Sequence, residues 1–351
     1  MFRMSLYAHP QVRGSASYFG YAYAYNEIHK HLKNYQHNGN TINVDINSPK
    51  SKVQLYFGSP HGAFYDHQYK IQMTQWESTL VPPHWVDHAK GYDEWWTANQ
   101  FGANAFINAG VPAEKIHVFE HGVDGSMWTP KKRGTKDTIR FLHIDSGSPR
   151  KRGALAVEAF KKAFGNNPDY EITLKYSHHP ASKQDWFDEN VLENRGEWKD
   201  INVRHIKENM TLEHLISLFH FHDILIYPSE GEGFGLIPLQ ALATGMPVIS
   251  TSRWCSYDQY FKDNIIESYE GISDVVENYT RYGNVIIPSL DSMINLMKNA
   301  VNNIESQSEY FYNQIPEVVD KYDWQKSTNL VMDKLISRLG LSMFENSGYP
   351  K

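Results

Sequence analysis

Apolar positions along the first third of the chain fall into short runs separated by segments with helical periodicity. Four runs predict strands, at Met4–Ala8, Val53–Phe57, Ile71–Trp76 and Ile116–Phe119. Helices are predicted over about 21–32 and 85–90, and the second follows Pro82 and Pro83, which interrupt regular secondary structure. Between Gly122 and Lys136 the chain is rich in Gly, Thr, Pro and charge, which is typical of a domain linker.

A second alternating series follows this linker. Strands are predicted at Ile139–Ile144, Glu171–Tyr176, Ile201–Ile206, Asp223–Tyr227 and Met246–Ser250. Helices are predicted at Gly153–Phe164, Thr211–Phe219 with Thr211 as N-cap, and Leu239–Ala243. The tail from Ser306 to Leu339 is helical in pattern.

Strands that alternate with helices predict an α/β protein with parallel sheets covered on both faces. A length of 351 residues suggests two domains. We therefore expect two doubly wound domains, 1–130 and 131–310, and a helical tail, 311–351, that packs back on the N-terminal domain. Ligands of such sheets bind beyond the carboxyl ends of the strands, so the cleft between the domains is the expected place for chemistry.

Composition narrows the class of protein. No apolar run approaches the ~18 residues of a membrane span, and the N-terminus lacks the pattern of a secretory signal. The single cysteine, Cys255, fits a reducing, cytoplasmic setting. A net charge of −6 excludes binding of nucleic acid by bulk charge, although a local basic patch stays compatible with it. Aromatic residues reach 14%, enough to suggest that many rings lie outside a simple core, where they often line ligand grooves.

The most informative chemistry lies between Asp223 and Thr251. An acidic, glycine-rich loop, EGEGFG from Glu230 to Gly235, follows a predicted buried strand and precedes a predicted helix. Glycines let the backbone approach a ligand closely, and free N–H groups at a helix N-terminus attract anions. An ionised glutamate accepts hydrogen bonds from sugar hydroxyls. A sugar attached to a phosphate is the ligand that fits both features.

Two other phosphate-binding loops do not fit the sequence. The dinucleotide fingerprint G-x-G-x-x-G, read from Gly231 and Gly233, would need glycine at position 236, where the chain has Leu236. A Walker A loop needs a Gly-Lys pair, and the chain contains none. The failed spacing argues against a dinucleotide-dependent oxidoreductase on the same type of sheet.

The stretch PSEGEGFGLIPLQALATGMPVIST, residues 228–251, resembles the signature of retaining GT-B glycosyltransferases, especially glycosyltransferase family 4. The resemblance implies a GT-B architecture and donor-binding residues at Glu232, Gly233, Phe234, Gly235, Leu236 and Gln240. It implies that Glu232 contacts the transferred sugar. Where the family has a second glutamate that holds the ribose hydroxyls, this chain has Gln240, which we expect to affect donor affinity and base preference more than the reaction class.

Two further stretches resemble the same family. In HIDSGSPRKRGALAVEAFKKAF, residues 143–164, Arg150 and Lys151 correspond to the cations that neutralise the leaving diphosphate, and Arg152 stands where glycine is usual. Residues 73–96 and 109–130 resemble the acceptor-side domain. The resemblance covers about two thirds of the chain and is thin over residues 1–70.

Three candidate residues lie within residues 1–70, and a fourth follows shortly after them. Gly14 and Ser15, after the first strand, are expected to approach the donor phosphate. His61 stands where family members carry a residue near the donor sugar, and Glu77 is a second candidate in that region; both are assigned to catalysis together with Glu232, Arg150 and Lys151.

No metal or cofactor is expected besides the nucleoside-diphosphate sugar itself. The 17 histidines include no H-E-x-x-H motif, and the pairs His178-His179 and His220-x-His222 lack a partner pattern, so packing or surface roles are expected. The chain also lacks the Asp-x-Asp motif that binds metal and diphosphate in the other large glycosyltransferase fold. We expect a metal-independent reaction in which Arg150 and Lys151 take the metal's electrostatic role.

The resemblance implies a hexosyl- or pentosyltransferase that moves a sugar with retention from a nucleoside-diphosphate donor, expected to be UDP-linked, to a hydroxyl of a glycan or small metabolite. One alternative is a phage-type enzyme that glycosylates hydroxymethylated pyrimidines of DNA. It rests on eight basic residues between positions 131 and 152, opposed by Asp137 and Asp145 only: Lys131, Lys132, Arg133, Lys136, Arg140, Arg150, Lys151 and Arg152. Another alternative is a non-catalytic nucleotide-sugar-binding protein, which the replacement at Gln240 supports.

Overall fold

The computed structural model describes residues 2–8, 20–46, 48–60, 68–145, 147–176, 201–275 and 282–345. The chain divides into two compact units, one formed by Met1–Asp124 with Lys321–Lys351 and the other by Gly125–Asp320. Each unit has its own parallel sheet and its own apolar core.

The strands are numbered in chain order. They are β1 (Phe2–Ala8), β2 (Gln36–His37), β3 (Asn40–Ile46), β4 (Val53–Phe57), β5 (Tyr69–Met73), β6 (Glu94–Thr97), β7 (Ile116–Val118), β8 (Ile139–Asp145), β9 (Tyr170–Tyr176), β10 (Val203–Ile206), β11 (Ile224–Tyr227), β12 (Val248–Ser250), β13 (Ser268–Gly271) and β14 (Val285–Pro288). The helices are α1 (Gly20–Asn34), α2 (Pro83–Ala89), α3 (Gln100–Asn108), α4 (Gly153–Phe164), α5 (Leu212–Phe221), α6 (Leu236–Ala243), α7 (Leu290–Asn302), α8 (Ile304–Lys321) and α9 (Trp324–Leu339).

The sheet of the first unit has the order β2-β3-β1-β4-β5-β6-β7. Its neighbours pair in parallel except for β2 and β3, a short antiparallel hairpin. The hairpin turns at Asn38 and Gly39, which have φ of 49° and 77°, the left-handed backbone that such two-residue turns require.

Aromatic side chains build much of the first unit's core. The rings of Trp76 and Trp85 lie 4.8 Å apart, and those of Trp95 and Phe106 are equally close. Seven of the nine tryptophans lie in the described residues, and all seven are buried. The expectation that many rings lie outside a simple core is therefore wrong for these tryptophans, because indoles fill the space between sheet and helices.

The sheet of the second unit has the order β10-β9-β8-β11-β12, and all its neighbouring strands are parallel. Apolar side chains of α4 and α7 pack against this sheet in one core. Because β8 and β11 are parallel neighbours, the residues that follow Asp145 and Tyr227 lie at the same edge of the sheet. This edge carries the candidate site.

Most predicted elements form near their expected positions. The strand Val53–Phe57 and the helix Gly153–Phe164 have their predicted bounds. Thr211 caps α5 as predicted, because its hydroxyl accepts a hydrogen bond from the backbone N–H of His214 at 3.3 Å.

Several predictions need correction. The strand predicted at 71–76 spans Tyr69–Met73; beyond its end, the Trp76 indole donates to Ser78 Oγ and to the carbonyl oxygen of Leu80. The strand predicted at 246–250 begins at Val248, because the backbone N–H of Met246 bonds to the end of α6 and Pro247 has none to give. The helical pattern predicted for the tail from Ser306 to Leu339 is confirmed, as two helices, α8 and α9, with Asp323 as the N-cap of the second.

Within the described part of the chain, no helix combines the length and apolar character needed to cross a membrane.

Candidate functional site

The site lies on a glycine-rich loop, residues 228–235, between β11 and α6. The loop is buried throughout. Its last residue, Gly235, has φ +85°, and a Cβ there would collide with the rings of Trp254 and Tyr257. Only glycine satisfies both the backbone and the space. The first turn of α6 follows directly, so its N–H groups point out of the helix start at this edge of the sheet.

Glu232 is the centre of the loop's polar contacts. Its carboxylate accepts hydrogen bonds from Ser229 Oγ at 2.6 Å and from Tyr227 OH at 3.0 Å. Lys151 Nζ lies 2.8 Å from Oε1 and 3.0 Å from Oε2, and Arg150 Nη1 lies 3.2 Å from Oε1. We call these five residues the Glu232 cluster. Both predicted cations and the predicted sugar-contacting acid thus lie together.

The charges of the Glu232 cluster control its ionisation. Burial alone would raise the pKa of the Glu232 carboxyl, but Lys151 and Arg150 outweigh burial and hold that pKa at about 2. Burial and the adjacent carboxylate raise the pKa of the Tyr227 hydroxyl well above its usual value. Glu232 is therefore an anion, and Tyr227 a neutral donor, throughout the physiological pH range.

Arg150 and Lys151 lie on a basic turn, residues 149–152, between β8 and α4. The turn is a short 3-10 helix that ends at Arg152, whose φ of 57° and ψ of 37° are left-handed. Its backbone joins the glycine-rich loop, since the N–H of Glu230 donates to the carbonyl of Arg150 at 3.0 Å. Glycine takes this left-handed conformation freely, so the backbone here suits the glycine that the sequence resemblance places at position 152.

The side chain of Arg152 makes a second ion pair at this edge. Arg152 Nε lies 2.7 Å from Oε1 of Glu230, and Nη2 contacts both Glu230 and Asp274. Ser273 Oγ donates to Oε2 of Glu230 at 2.6 Å. Burial raises the pKa of the Glu230 carboxyl despite these contacts. This ion pair, in which the carboxylate is buried and the guanidinium partly buried, ties the basic turn to the glycine-rich loop.

Beneath the basic turn lies a buried histidine–aspartate pair. His143 Nε2 is 2.8 Å from Asp145 Oδ2, and His143 Nδ1 is 3.0 Å from the carbonyl oxygen of Ile226. Asp145 also accepts a hydrogen bond from the N–H of Gly147, at the start of the segment that carries the turn. A Cβ on Gly153 would lie 3.0 Å from Asp145 Oδ2, so the pair fills the space below the start of α4.

The remaining predicted donor-binding residues occupy the same loop and helix. Gly233 and Phe234 are buried in the loop, with the ring of Phe234 5.6 Å from that of Tyr257. Leu236 begins α6 and is half-buried, and Gln240 on α6 is fully buried.

Of the predicted residues outside the second unit, the structure describes Glu77 alone. Glu77 is half-buried and follows β5. It lies near enough to the half-buried Tyr21 to raise the pKa of the tyrosine hydroxyl, although desolvation of that hydroxyl raises the pKa more. The predicted residues Gly14, Ser15 and His61 lie outside the described residues.

Sequence reasoning missed four contributors: Tyr227, Ser229 and Glu230 as polar partners, and Arg152 as an ion-pair partner. Tyr227 and Ser229 stand in the stretch that carries the family resemblance, but their contact with Glu232 depends on how the loop folds back. The sequence did contain a signal for the Glu230–Arg152 pair. The loop has a second acid, Glu230, besides Glu232, and the turn has a third cation, Arg152, beside Arg150 and Lys151.

The described histidine pair has packing roles. His220 Nε2 lies 2.8 Å from the carbonyl oxygen of Thr129, and buried His222 contacts Leu218 O and Thr173 Oγ1, both at 2.7 Å. His178 and His179 lie outside the described residues. Among the residues that the structure describes, no three His, Cys, Asp or Glu side chains are grouped so as to hold a metal ion.

Seven of the eight basic residues counted between positions 131 and 152 are engaged within the second unit. Beyond the basic turn, Arg133 donates to the carbonyls of Lys131, Phe219, His222 and Thr244; Lys131 donates to His220 O; Lys136 pairs with Asp223; and Arg140 pairs with Glu171. Lys132 is exposed. These contacts hold the helix ends and the sheet edge together, so the basic run does not form one solvent-facing patch.

The comparisons with known proteins point to the same part of the chain. A model of the family Glycosyl transferases group 1 matches residues 128–307, just over half of the chain and all of the Glu232 cluster. D-inositol 3-phosphate glycosyltransferase of Paenarthrobacter aurescens (strain TC1) is 28% identical over 151 residues, which cover 41% of this chain and 36% of that protein. Uncharacterized protein 356 of Sulfolobus islandicus rod-shaped virus 1 is 20% identical over 268 residues, or 70% of this chain and 74% of the relative.

Among solved structures, Anabaena HepE in complex with UDP and glucose has a TM-score of 0.69. It is 13% identical, and the match covers 95% of this chain and 99% of HepE. At this identity the likeness shows a shared fold.

Proposed function

The chain belongs to the family Glycosyl transferases group 1, and on that premise we propose that it transfers a hexosyl or pentosyl group from a UDP-linked sugar to a hydroxyl acceptor, with retention of anomeric configuration. Its fold is the predicted GT-B architecture of two Rossmann-like domains. The observation that carries the proposal is the Glu232 cluster, which joins one carboxylate and two cations beside the start of α6. The UDP–sugar complexes of HepE support the choice of nucleotide.

Each group of the site has a role in this reaction. Arg150, Lys151 and the N–H groups at the start of α6 balance the charge that develops on the leaving diphosphate. Glu232 accepts hydrogen bonds from hydroxyls of the transferred sugar. Gln240 bonds the ribose in place of the family's usual glutamate. Since no side chain is needed as a nucleophile, the leaving phosphate itself guides the acceptor hydroxyl onto the same face of the sugar.

Four residues of the first unit are proposed to take part in the reaction. Glu77 and His61 take part near the donor sugar, and the segment with Gly14 and Ser15 approaches the donor phosphate. Their support is the sequence resemblance. We also propose that the reaction needs no metal and no added cofactor, and that it takes place in the cytoplasm, because Cys255 has no second cysteine in the chain to pair with.

The proposed acceptor is a glycan or a small metabolite. The DNA alternative depends on a free basic face, and the engagement of seven of its eight cations weakens it. The burial of the described tryptophans removes most of the indoles that could stack on a flipped base. A gel shift on duplex DNA at two salt concentrations distinguishes a DNA acceptor from a glycan or metabolite acceptor, because an enzyme that acts on DNA must bind it strongly and in a salt-sensitive way.

The decisive experiment incubates the protein with a panel of UDP-, GDP- and ADP-linked sugars in the presence of EDTA. We expect slow release of UDP even without an acceptor, retention of configuration in the glycoside formed with a hydroxyl acceptor, and no loss of rate on chelation. Lys151→Met should abolish release. Lys162→Met, which removes an exposed lysine of α4 in the same unit, is the matched control and should leave it unchanged. Absence of nucleotide release, together with no thermal shift by UDP or GDP, would refute the proposal.

The same experiment tests the non-catalytic alternative, which Gln240 favours because an acid is replaced by its amide. That alternative requires a thermal shift with nucleotide sugars and no turnover with any donor. Full transfer activity of Glu232→Ala would show that the site is wrongly assigned even if the class is right.

A further inference from the structure

The ammonium group of Lys151 is surrounded by oxygen atoms of the protein. An ammonium carries three N–H donors. Three oxygen atoms lie within hydrogen-bond distance of Nζ: Glu232 Oε1 at 2.8 Å, Glu232 Oε2 at 3.0 Å and Tyr227 OH at 2.6 Å. A phosphate oxygen that bonds to Nζ therefore competes with these three oxygen atoms.

One guanidinium nitrogen of Arg150, Nη1, is also surrounded by oxygen atoms of the glycine-rich loop. Nη1 donates to the carbonyl of Gly231 and lies 3.2 Å from Oε1 of Glu232 and 3.4 Å from Ser229 Oγ. The Arg150 side chain is 7% exposed and that of Glu232 is 9% exposed. The carboxylate of Glu232 thus occupies the cations that the proposed reaction assigns to the leaving diphosphate.

We propose that Glu232 is an internal counter-ion that competes with the diphosphate for Arg150 and Lys151, so that the site discriminates against the nucleoside diphosphate product and in favour of the intact donor. This inference rests on the function proposed above and adds to it a specificity role for Glu232.

The discrimination follows from what each ligand offers the carboxylate. When a diphosphate takes hydrogen bonds from Lys151 and Arg150, Glu232 is left as a buried anion with fewer donors, which is unfavourable. An intact donor restores donors to it through the hydroxyls of the sugar. UDP carries no transferred sugar, and its ribose hydroxyls are assigned to Gln240, so it displaces Glu232 without replacing what the carboxylate loses. Release of UDP after transfer is correspondingly easier.

The test measures the binding of UDP, UDP-glucose and inorganic pyrophosphate by titration calorimetry to the wild type and to Glu232→Gln. The amide keeps the shape of the side chain and removes the competing charge. We expect Glu232→Gln to bind UDP and pyrophosphate about tenfold more tightly, about 1.4 kcal/mol, and to lose the preference for UDP-glucose over UDP. Unchanged or weaker binding of UDP and pyrophosphate by the variant would overturn the inference.

The matched control is Glu230→Gln. It removes a carboxylate from the same loop, two residues away, but one whose cation is Arg152. Tighter UDP binding in both variants would show that only the overall charge matters, and would overturn the specific role of Glu232.

Two further outcomes are distinguishable. If Glu232→Gln does not fold, Tyr227→Phe serves as the test, because this variant removes one hydrogen-bond partner of Lys151 and keeps the ring. Tyr227→Phe should tighten UDP binding by a smaller factor. Unchanged or weaker UDP binding by Tyr227→Phe would overturn the inference. Failure of the wild type to bind UDP, GDP and pyrophosphate at all would instead remove the proposed function, and the inference with it.

Discussion

Replacing Arg152 with glycine is expected to destabilise the second unit, even though glycine suits the backbone better. Arg152 has φ 57° and ψ 37°, a conformation that glycine adopts without steric penalty. Relief of that penalty stabilises the variant by about 1 kcal/mol. Loss of the guanidinium acts in the opposite direction, because it removes the cation beside Glu230.

The magnitude follows from the burial of the two partners. Glu230 is 1% exposed, so Arg152→Gly leaves a buried carboxylate without its cation, which costs about 3–5 kcal/mol. The contact with Asp274 adds little, about 0–1 kcal/mol, because that side chain is 80% exposed. Subtracting the backbone gain leaves a net loss of about 2–4 kcal/mol in the free energy of unfolding.

Urea denaturation at pH 7 and pH 5 checks both the size and the origin of the loss. Burial already raises the pKa of Glu230 above its usual 4.5, and removal of Arg152 raises it further. A carboxyl whose folded pKa lies above its unfolded value contributes stability that is fully present below the unfolded pKa and is lost as the pH rises through the folded pKa. The deficit of Arg152→Gly should therefore shrink at pH 5.

The double variant Arg152→Gly/Glu230→Gln serves as the control. It keeps the backbone gain and removes the unpaired charge, so it should recover most of the loss at pH 7. A deficit below about 0.5 kcal/mol, or one that stays constant between pH 7 and pH 5, would refute the assignment of a buried ion pair.

Three further variants test other parts of the second unit. Gly235→Ala drives a Cβ into Trp254 and Tyr257 at φ +85° and should lower the free energy of unfolding by about 2–4 kcal/mol and abolish UDP binding; a stable variant with normal UDP affinity would contradict the geometry of the loop. Burial lowers the pKa of Lys175 from 10.5 to about 8. The free energy of unfolding of the wild type relative to Lys175→Met, measured by urea denaturation, should therefore rise between pH 8 and pH 10.5. A difference that does not change with pH would show that this lysine stays protonated in the folded protein. Arg133→Met leaves several buried carbonyl groups at helix ends without a donor and should cost about 3 kcal/mol in thermal or urea unfolding, with a loss under 1 kcal/mol as the contrary result.

Local patterns were sufficient for the elements of strong periodicity. The helix Gly153–Phe164 follows from apolar positions at Leu155, Val157 and Phe160, and the strand Val53–Phe57 from its continuous apolar run. The glycine-rich loop was also predictable from its own residues. Its glycines allow the backbone to approach a ligand closely, and Glu232 can accept hydrogen bonds from sugar hydroxyls.

Other elements depend on contacts that no local pattern contains. The strand β6 has only four residues, Glu94–Thr97, and its pairing with β5 rather than its own sequence defines it. The basic run showed the same limit, because a count of charges cannot tell an exposed lysine from one that bonds to a distant carbonyl. Arg133, for example, reaches Thr244, 111 positions away.

The two departures from the family's pattern act in the same direction on the charge of the site. Arg150, Lys151 and Arg152 supply three positive charges, and Glu230, Glu232 and the exposed Asp274 on Arg152 supply three negative ones, while α6 carries none. A glutamate at the fully buried position of Gln240 would add a further negative charge and would also have to be desolvated. Under the proposed function, glutamine at this position weakens the ribose contact and adds no negative charge that would repel a phosphate. The additional cation of the turn, Arg152, is paired with Glu230, so in that proposal the selectivity for an intact donor falls to Glu232.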